Sequence, residues 1–157
     1  MRVTKVILVL ISELAVCLGA PAFPEPCECD CDVLRTEVRS ESQKLISLLI
    51  THVFNTEEYN GCSQEEVINL VRVFLHEMIP ALSEALENPN PVLPPQPPFE
   101  ITCEAQKELK TELDQLLNNI LINFKKSEIC RCPVREPLQE LVDLGIFLLS
   151  MISNNQQ

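Results

Sequence analysis

The chain has 157 residues, with 12 Lys and Arg against 23 Asp and Glu, a formal net charge of -11. That length is about one domain. The acidic balance, with six Phe, one Tyr and no Trp, excludes a nucleic-acid binder, which needs a basic surface and aromatic stacking platforms. Three Gly are too few for a Gly-rich phosphate loop or a turn-dense sandwich. Eight cysteines in so short a chain make the redox compartment the first question.

Residues 1–22 read as a secretory signal peptide. Arg2 and Lys5 form the positive start, and Val6 to Ile11 open an apolar run that continues through Leu14 to Leu18. Ala20-Pro21-Ala22 is a small-residue cleavage site, and cleavage after Ala20 is the alternative. The run is shorter than the ~20 apolar residues of a membrane span and contains Glu13. A secreted, extracellular protein without membrane insertion is expected. Removing Arg2, Lys5, Glu13 and Cys17 leaves 10 basic and 22 acidic side chains, a net charge of -12, and seven cysteines. These are Cys27, Cys29, Cys31, Cys62, Cys103, Cys130 and Cys132. In an oxidising compartment they form a disulfide framework with one sulfur left over.

The mature chain, residues 23–157, reads as one domain. Its first helix is expected over about residues 33–50, capped by Asp30 or Asp32. Leu34, Val38, Leu45, Ile46, Leu49 and Val53 recur at helical spacing. The segment Thr51-His52-Val53-Phe54 is compatible with extended backbone. The second helix opens at the capping box Ser63-Gln64-Glu65-Glu66. Val67, Leu70, Val71, Phe74, Leu75, Met78 and Leu82 make its stripe, and Pro80 should kink or end it. Residues 88–99 hold six prolines and form an extended linker of polyproline type. A third helix opens near Thr102, with Leu109, Leu113, Leu117, Ile120 and Phe124 on its face, and closes at Lys125 and Lys126, which suit the negative end of the helix dipole. A fourth begins between Pro133 and Pro137 and runs to about Ser153. Leu138, Leu141, Val142, Leu148, Leu149 and Ile152 line it, and Gly145 weakens it by about 1 kcal/mol relative to Ala.

Four amphipathic helices bury their stripes against each other, so the expected fold is an all-α, short-chain, disulfide-linked four-helix bundle. The first and last connections each read as about a dozen residues, long enough at ~3.3 Å per residue to return along a helix. Up-up-down-down wiring is expected on that basis. The cysteines all fall near helix ends. The preferred bridges are Cys62 with Cys132 or Cys130, and Cys103 with one of Cys27, Cys29 and Cys31. Metal binding by the Cys27-Glu28-Cys29-Asp30-Cys31 and Cys130-Arg131-Cys132 clusters competes, but zinc sites space cysteines two to four residues apart. No metal or cofactor is expected. His52 and His76 are the only histidines, and no Gly-x-Ser-x-Gly, His-Glu-x-x-His or P-loop pattern occurs. The chain is therefore expected not to be an enzyme.

Cys31-Asp32-Val33-Leu34-Arg35-Thr36-Glu37 and Cys132-Pro133-Val134-Arg135-Glu136 resemble the first- and last-helix starts of the interleukin-4/interleukin-13 family of short-chain helical cytokines. Cys130-Arg131-Cys132 and Leu138-Gln139-Glu140-Leu141 are similar to the interleukin-2/15/21 branch, which is the close alternative. The resemblance is specific over about a dozen residues. It departs from interleukin-4 at the C-terminus, where residues 151–157 hold no cysteine. It departs again in the third helix, where a basic receptor contact has no counterpart near Leu121. The resemblance implies a monomer that assembles two class I cytokine receptor chains, a primary chain and a shared signalling chain, on immune cells. It implies that Glu37 contacts a basic or phenolic receptor group, and that Gln139 and Asp143 on the last helix face the second chain. A rival of another class is a secreted lipid-binding helical protein of saposin type, whose cysteine order does not fit.

Overall fold

The computed structural model describes residues 29–54, 61–96, 98–132 and 134–155. The expected signal peptide and Cys27 lie outside the described residues. Four helices follow in order: α1 (Cys31–Phe54), α2 (Gln64–Ala85), α3 (Glu104–Ile129) and α4 (Glu136–Asn155). Among the described residues there is no strand and no helix long and apolar enough to cross a membrane.

The starts of the helices follow from their local chemistry. Asp30, not Asp32, caps α1: its Oδ1 accepts from the amides of Asp32 at 3.1 Å and Val33 at 3.2 Å. The apolar period then carries α1 through Phe54, so the extended reading of residues 51–54 is corrected. Val53 beneath it is buried, and burial of that kind favours continuing the helix. Ser63 caps α2, accepting from the amide of Glu66 at 3.2 Å while its hydroxyl donates to the Glu66 carboxylate at 3.1 Å. The expected cap at Thr102 is replaced by Cys103, which makes no side-chain cap bond. Cys103 is bridged to Cys62, and that covalent tie fixes where α3 begins.

Pro80 neither ends nor splits α2, which runs five residues past it to Ala85. An interior proline costs about 3 kcal/mol. Ile79, Leu82 and Leu86 are buried at 0–2 % exposure, and each contributes roughly 1.5–3 kcal/mol. Their burial offsets the proline. Gly145 also departs from expectation. A Cβ there would sit 2.9 Å from Met78 Cε and 3.1 Å from Ile79 Cγ1. The glycine lets α4 approach α2, and an added methyl would have to displace the tip of Met78 and shift Ile79.

Helices α2 and α3 end alike. Glu87 and Arg131 take positive φ, 59° and 58°. The next amides, of Asn88 and Cys132, return to Ser83 O and Ser127 O at 2.9 Å. These are Schellman ends built on non-glycine residues.

The expected all-α, disulfide-linked four-helix bundle is the fold. Its bridges and its wiring differ from expectation. Cys29 pairs with Cys130, Cys31 with Cys132 and Cys62 with Cys103, with Cα separations of 5.5, 5.7 and 5.9 Å. The preferred pairs of Cys62 with Cys130 or Cys132, and of Cys103 with the N-terminal cluster, are therefore corrected. The Cys29 and Cys31 bridges bring the start of α1 to the end of α3 and the approach to α4. Arg135, just before α4, donates to Leu86 O beyond α2 and pairs with Glu128 of α3 at 3.2 Å. The start of α4 thus sits at the ends of α2 and α3. The Cys62–Cys103 bridge joins the starts of α2 and α3 at the opposite end.

These ties make α1 up, α2 down, α3 down and α4 up, in place of up-up-down-down. The reason lies in the connections. Helix α3 runs four residues beyond Lys125, and α4 starts at Glu136. Only six residues remain between them, and the turn at Arg131 sends the chain straight back. The long return falls to the proline-rich segment between α2 and α3. At ~3.1 Å per extended residue it easily spans a helix of ~33 Å.

Around the bundle, α1 packs most extensively on α3 and α2 on α4, with α2·α3 and α1·α4 closing the ring. Among the described residues α3 and α4 do not pack together. One continuous core runs through all four helices, with Phe74, Leu45, Leu49, Leu70 and Ile120 among its buried side chains.

Candidate interaction surfaces

The core stripes turn the polar faces of α1 and α3 outward along their shared edge. There they border an open groove of about 720 Å³. Ser40, Glu41, Lys44 and Ser47 line it from α1, and Glu112, Gln115 and Asn119 from α3, with Leu48 and Leu116 as its apolar patches. Glu41 and Lys44 approach to 3.8 Å. Lys44 is exposed and Glu41 half-buried, and at that separation the pair adds little stability. Glu37 is exposed. It stands one turn before Glu41 and two before Lys44, which places it on the same side of α1.

Gln139 and Asp143 are exposed on α4 and linked to each other, Gln139 Nε2 donating to Asp143 Oδ1 at 3.1 Å. Gln139 Oε1 accepts from Asn88 Nδ2, just past α2, at 3.1 Å. That bond places Gln139 on the α2 side of α4. Glu37 lies on the α1·α3 edge and Gln139 with Asp143 on the α2·α4 edge, which are opposite edges of the ring. The structure therefore separates the three expected contact residues into two faces.

The basic residue of the Cys132-Pro133-Val134-Arg135-Glu136 motif serves the fold, since Arg135 binds Leu86 O and Glu128. Sequence reading missed a buried charge cluster at the α2·α3 contact. Lys110 Nζ donates to Glu77 Oε2 at 2.8 Å and Asp114 Oδ1 at 3.1 Å, and lies 5.9 Å from the Phe74 ring centroid. The Lys110 side chain is 4 % exposed. The i,i+4 spacing of Lys110 and Asp114 is visible in the sequence, but nothing local shows that α2 covers them. Arg72 is also buried, and desolvation pulls its guanidinium below the usual value.

Cys62, Glu66 and Cys103 bring three potential ligand atoms within 4.8 Å. Both sulfurs are in a disulfide, so neither is a thiolate and the oxidised chain has no metal-binding donor set there. His52 Nδ1 contacts Leu48 O at 2.7 Å, and His76 contacts Arg72 O and Pro94 O.

Compared with known proteins, the chain matches no family model, no curated protein and no solved structure.

Proposed function

We propose that this chain is a secreted helical signalling ligand of cytokine type, which acts by holding two receptor ectodomains on opposite edges of its bundle. The observation that carries the reading is the separation of Glu37 on the α1·α3 edge from Gln139 and Asp143 on the α2·α4 edge. A rigid, disulfide-linked body with two polar faces is suited to bridging two partners. Receptor assembly would then bring together the kinases on the receptors' cytoplasmic tails.

The resemblance of the helix-start motifs to interleukin-4/13 cytokines supports class I receptor chains as the partners, with the interleukin-2/15/21 branch as the alternative. Class I bundles are wired up-up-down-down, and this chain is not. Its receptor faces are therefore read from its own geometry. On the first edge, the Glu37 carboxylate meets a basic or phenolic group in a charge-assisted hydrogen bond. The acidic surface of the chain steers a basic receptor patch toward it.

Pull-down of class I receptor ectodomains by the purified, oxidised mature chain tests this reading. The expected result is capture of two different ectodomains in one complex, with Glu37→Ala weakening one and Gln139→Ala/Asp143→Ala the other. Truncating a buried charged contact costs roughly 2–5 kcal/mol. Failure to bind any ectodomain, together with no phosphorylation response in leukocytes, would reject it.

A further inference from the structure

Helices α2 and α3 both begin at the Cys62–Cys103 bridge. Cys62 stands just before the Ser63 cap of α2, and Cys103 is the N-cap residue of α3. Glu66, in the first turn of α2, brings a carboxylate oxygen to the same point, so that it and both sulfurs lie within 4.8 Å of one another. Ser63 Oγ donates to Glu66 Oε1 at 3.1 Å and fixes the carboxylate. The other oxygen has no hydrogen-bond or ion-pair partner among the described residues. Glu66 is half-buried, so its charge faces the bridge with only the positive ends of two helix dipoles to balance it. Three residues separate Cys62 from Glu66, within the gap of about two to four that paired zinc ligands keep.

We propose that Cys62, Cys103 and Glu66 form a divalent-metal site, suited to zinc, that exists only when their bridge is reduced. Two thiolates and a carboxylate are a zinc donor set, with water in the fourth position. A dithiol opens the bridge: its own two sulfurs close into a disulfide while Cys62 and Cys103 each take up a proton. The metal then displaces those two protons and binds both sulfurs. Zn–S bonds of about 2.3 Å put the sulfurs of a tetrahedral site roughly 3.8 Å apart. Side chains whose Cα atoms lie 5.9 Å apart reach that separation by rotation about Cα–Cβ. Two thiolates, one carboxylate and a divalent cation leave one net negative charge, which the two helix N-termini favour. The Ser63 hydroxyl orients the carboxylate from behind.

This bridge can open by itself. A sulfur pair released from Cys29–Cys130 or Cys31–Cys132 is kept together by the bridge two residues away, and it re-forms at high effective concentration. Cys62–Cys103 has no such neighbour among the described residues. Cys62 is fully buried, but Cys103 is only half-buried. The reductant therefore attacks the Cys103 sulfur, and the Cys62 sulfur leaves. The inference concerns the bridge and the capping turn beside it, and it does not rest on the receptor reading.

The test treats the full oxidised chain with a limiting amount of a water-soluble phosphine, which ends as its oxide and leaves no competing thiol. Alkylation with mass spectrometry identifies the opened bridge, and cobalt(II) and zinc(II) are the probes. Cys62 and Cys103 should be freed first. The opened chain should take one cobalt with tetrahedral d–d bands and sulfur-to-cobalt charge transfer, and zinc should displace it and shield both cysteines from alkylation. The oxidised chain should bind neither ion. Glu66→Gln, which keeps the capping box, should weaken zinc binding by roughly tenfold or more. Three results would each overturn the proposal: no cobalt bound by the opened chain, unchanged affinity in Glu66→Gln, or the same cobalt spectrum from Cys62→Ser/Cys103→Ser after equal reduction. Opening of the other bridges while Cys62–Cys103 stays closed would overturn it too. Where reduction unfolds the chain, recovery of helical circular dichroism on adding zinc upholds the site, and no recovery rejects it.

Discussion

The two ends of the bundle are held in different ways. At one end, two parallel disulfides, the Arg135 bonds and two Schellman turns gather the start of α1, the ends of α2 and α3 and the start of α4. At the other, Cys62–Cys103 is the one bridge among the described residues. There the neighbouring polar side chains are either locked in a buried cluster, as Lys110 and Asp114 are, or left without a partner. Gln106, one turn into α3, is fully buried, and neither of its amide atoms finds a hydrogen bond. The first end is over-determined, and the second holds a buried amide that makes no hydrogen bond among the described residues. The lesson is that a disulfide count does not measure how evenly a fold is fixed.

The largest effect expected from this contrast is at the doubly bridged end. Cys29 and Cys31 reach partners 101 residues away in sequence, and either bridge alone closes that loop. Replacing Cys31 and Cys132 by serine should therefore cost only about 2 kcal/mol, because the Cys29–Cys130 bridge keeps the loop closed. Replacing all four cysteines should cost about 5 kcal/mol or more, read as a collapse of the urea midpoint. Equal losses for the pair and the quadruple variant would show that the two bridges are not redundant.

At the other end, Cys62→Ser/Cys103→Ser opens a loop with a sequence separation of 41 and has no backup. It should cost about 4 kcal/mol, more than losing either parallel bridge. Next in size, Lys110→Ala removes a cation that sits 2.8 Å from Glu77 and 3.1 Å from Asp114 in a nearly buried cluster. A loss of about 3 kcal/mol is expected in denaturant unfolding, and a loss below about 1 kcal/mol would mean that water reaches the cluster. The smallest effect has the opposite sign. Gln106→Met removes an unpartnered buried amide at similar volume and should stabilise the chain by about 1 kcal/mol, seen as a higher thermal midpoint. A destabilised variant would mean that Gln106 has a partner in solution.

Much of the fold was legible because apolar spacing encodes it directly. Val67, Leu70, Phe74 and Met78, or Leu138, Leu141, Leu148 and Ile152, mark their helices and their buried faces without outside help. The Ser63 capping box is equally local. What could not be read was decided between elements. Pro80 is tolerated because residues from elsewhere bury Ile79 and Leu82. Gly145 matters because of Met78 and Ile79 across the α2·α4 contact. The wiring turned on Arg131, a non-glycine residue in a left-handed turn, which no propensity argument favours. Of the candidate site residues, exposure of Glu37, Gln139 and Asp143 followed from their helix faces, but their division between two edges needed the packing order of the ring.

The disulfide pairing underlies both the wiring and the separation of the two faces, so it is the point at which to test the account. Non-reducing peptide mapping by mass spectrometry, with cleavage after Glu28, before Asp30 and after Arg131, separates Cys27, Cys29 and Cys31 from one another and Cys130 from Cys132. The account predicts Cys29 linked to Cys130, Cys31 to Cys132 and Cys62 to Cys103. Cys62 found linked to Cys130 or Cys132, with Cys103 joined to the N-terminal cluster, would contradict the up-down-down-up bundle and the two faces built on it.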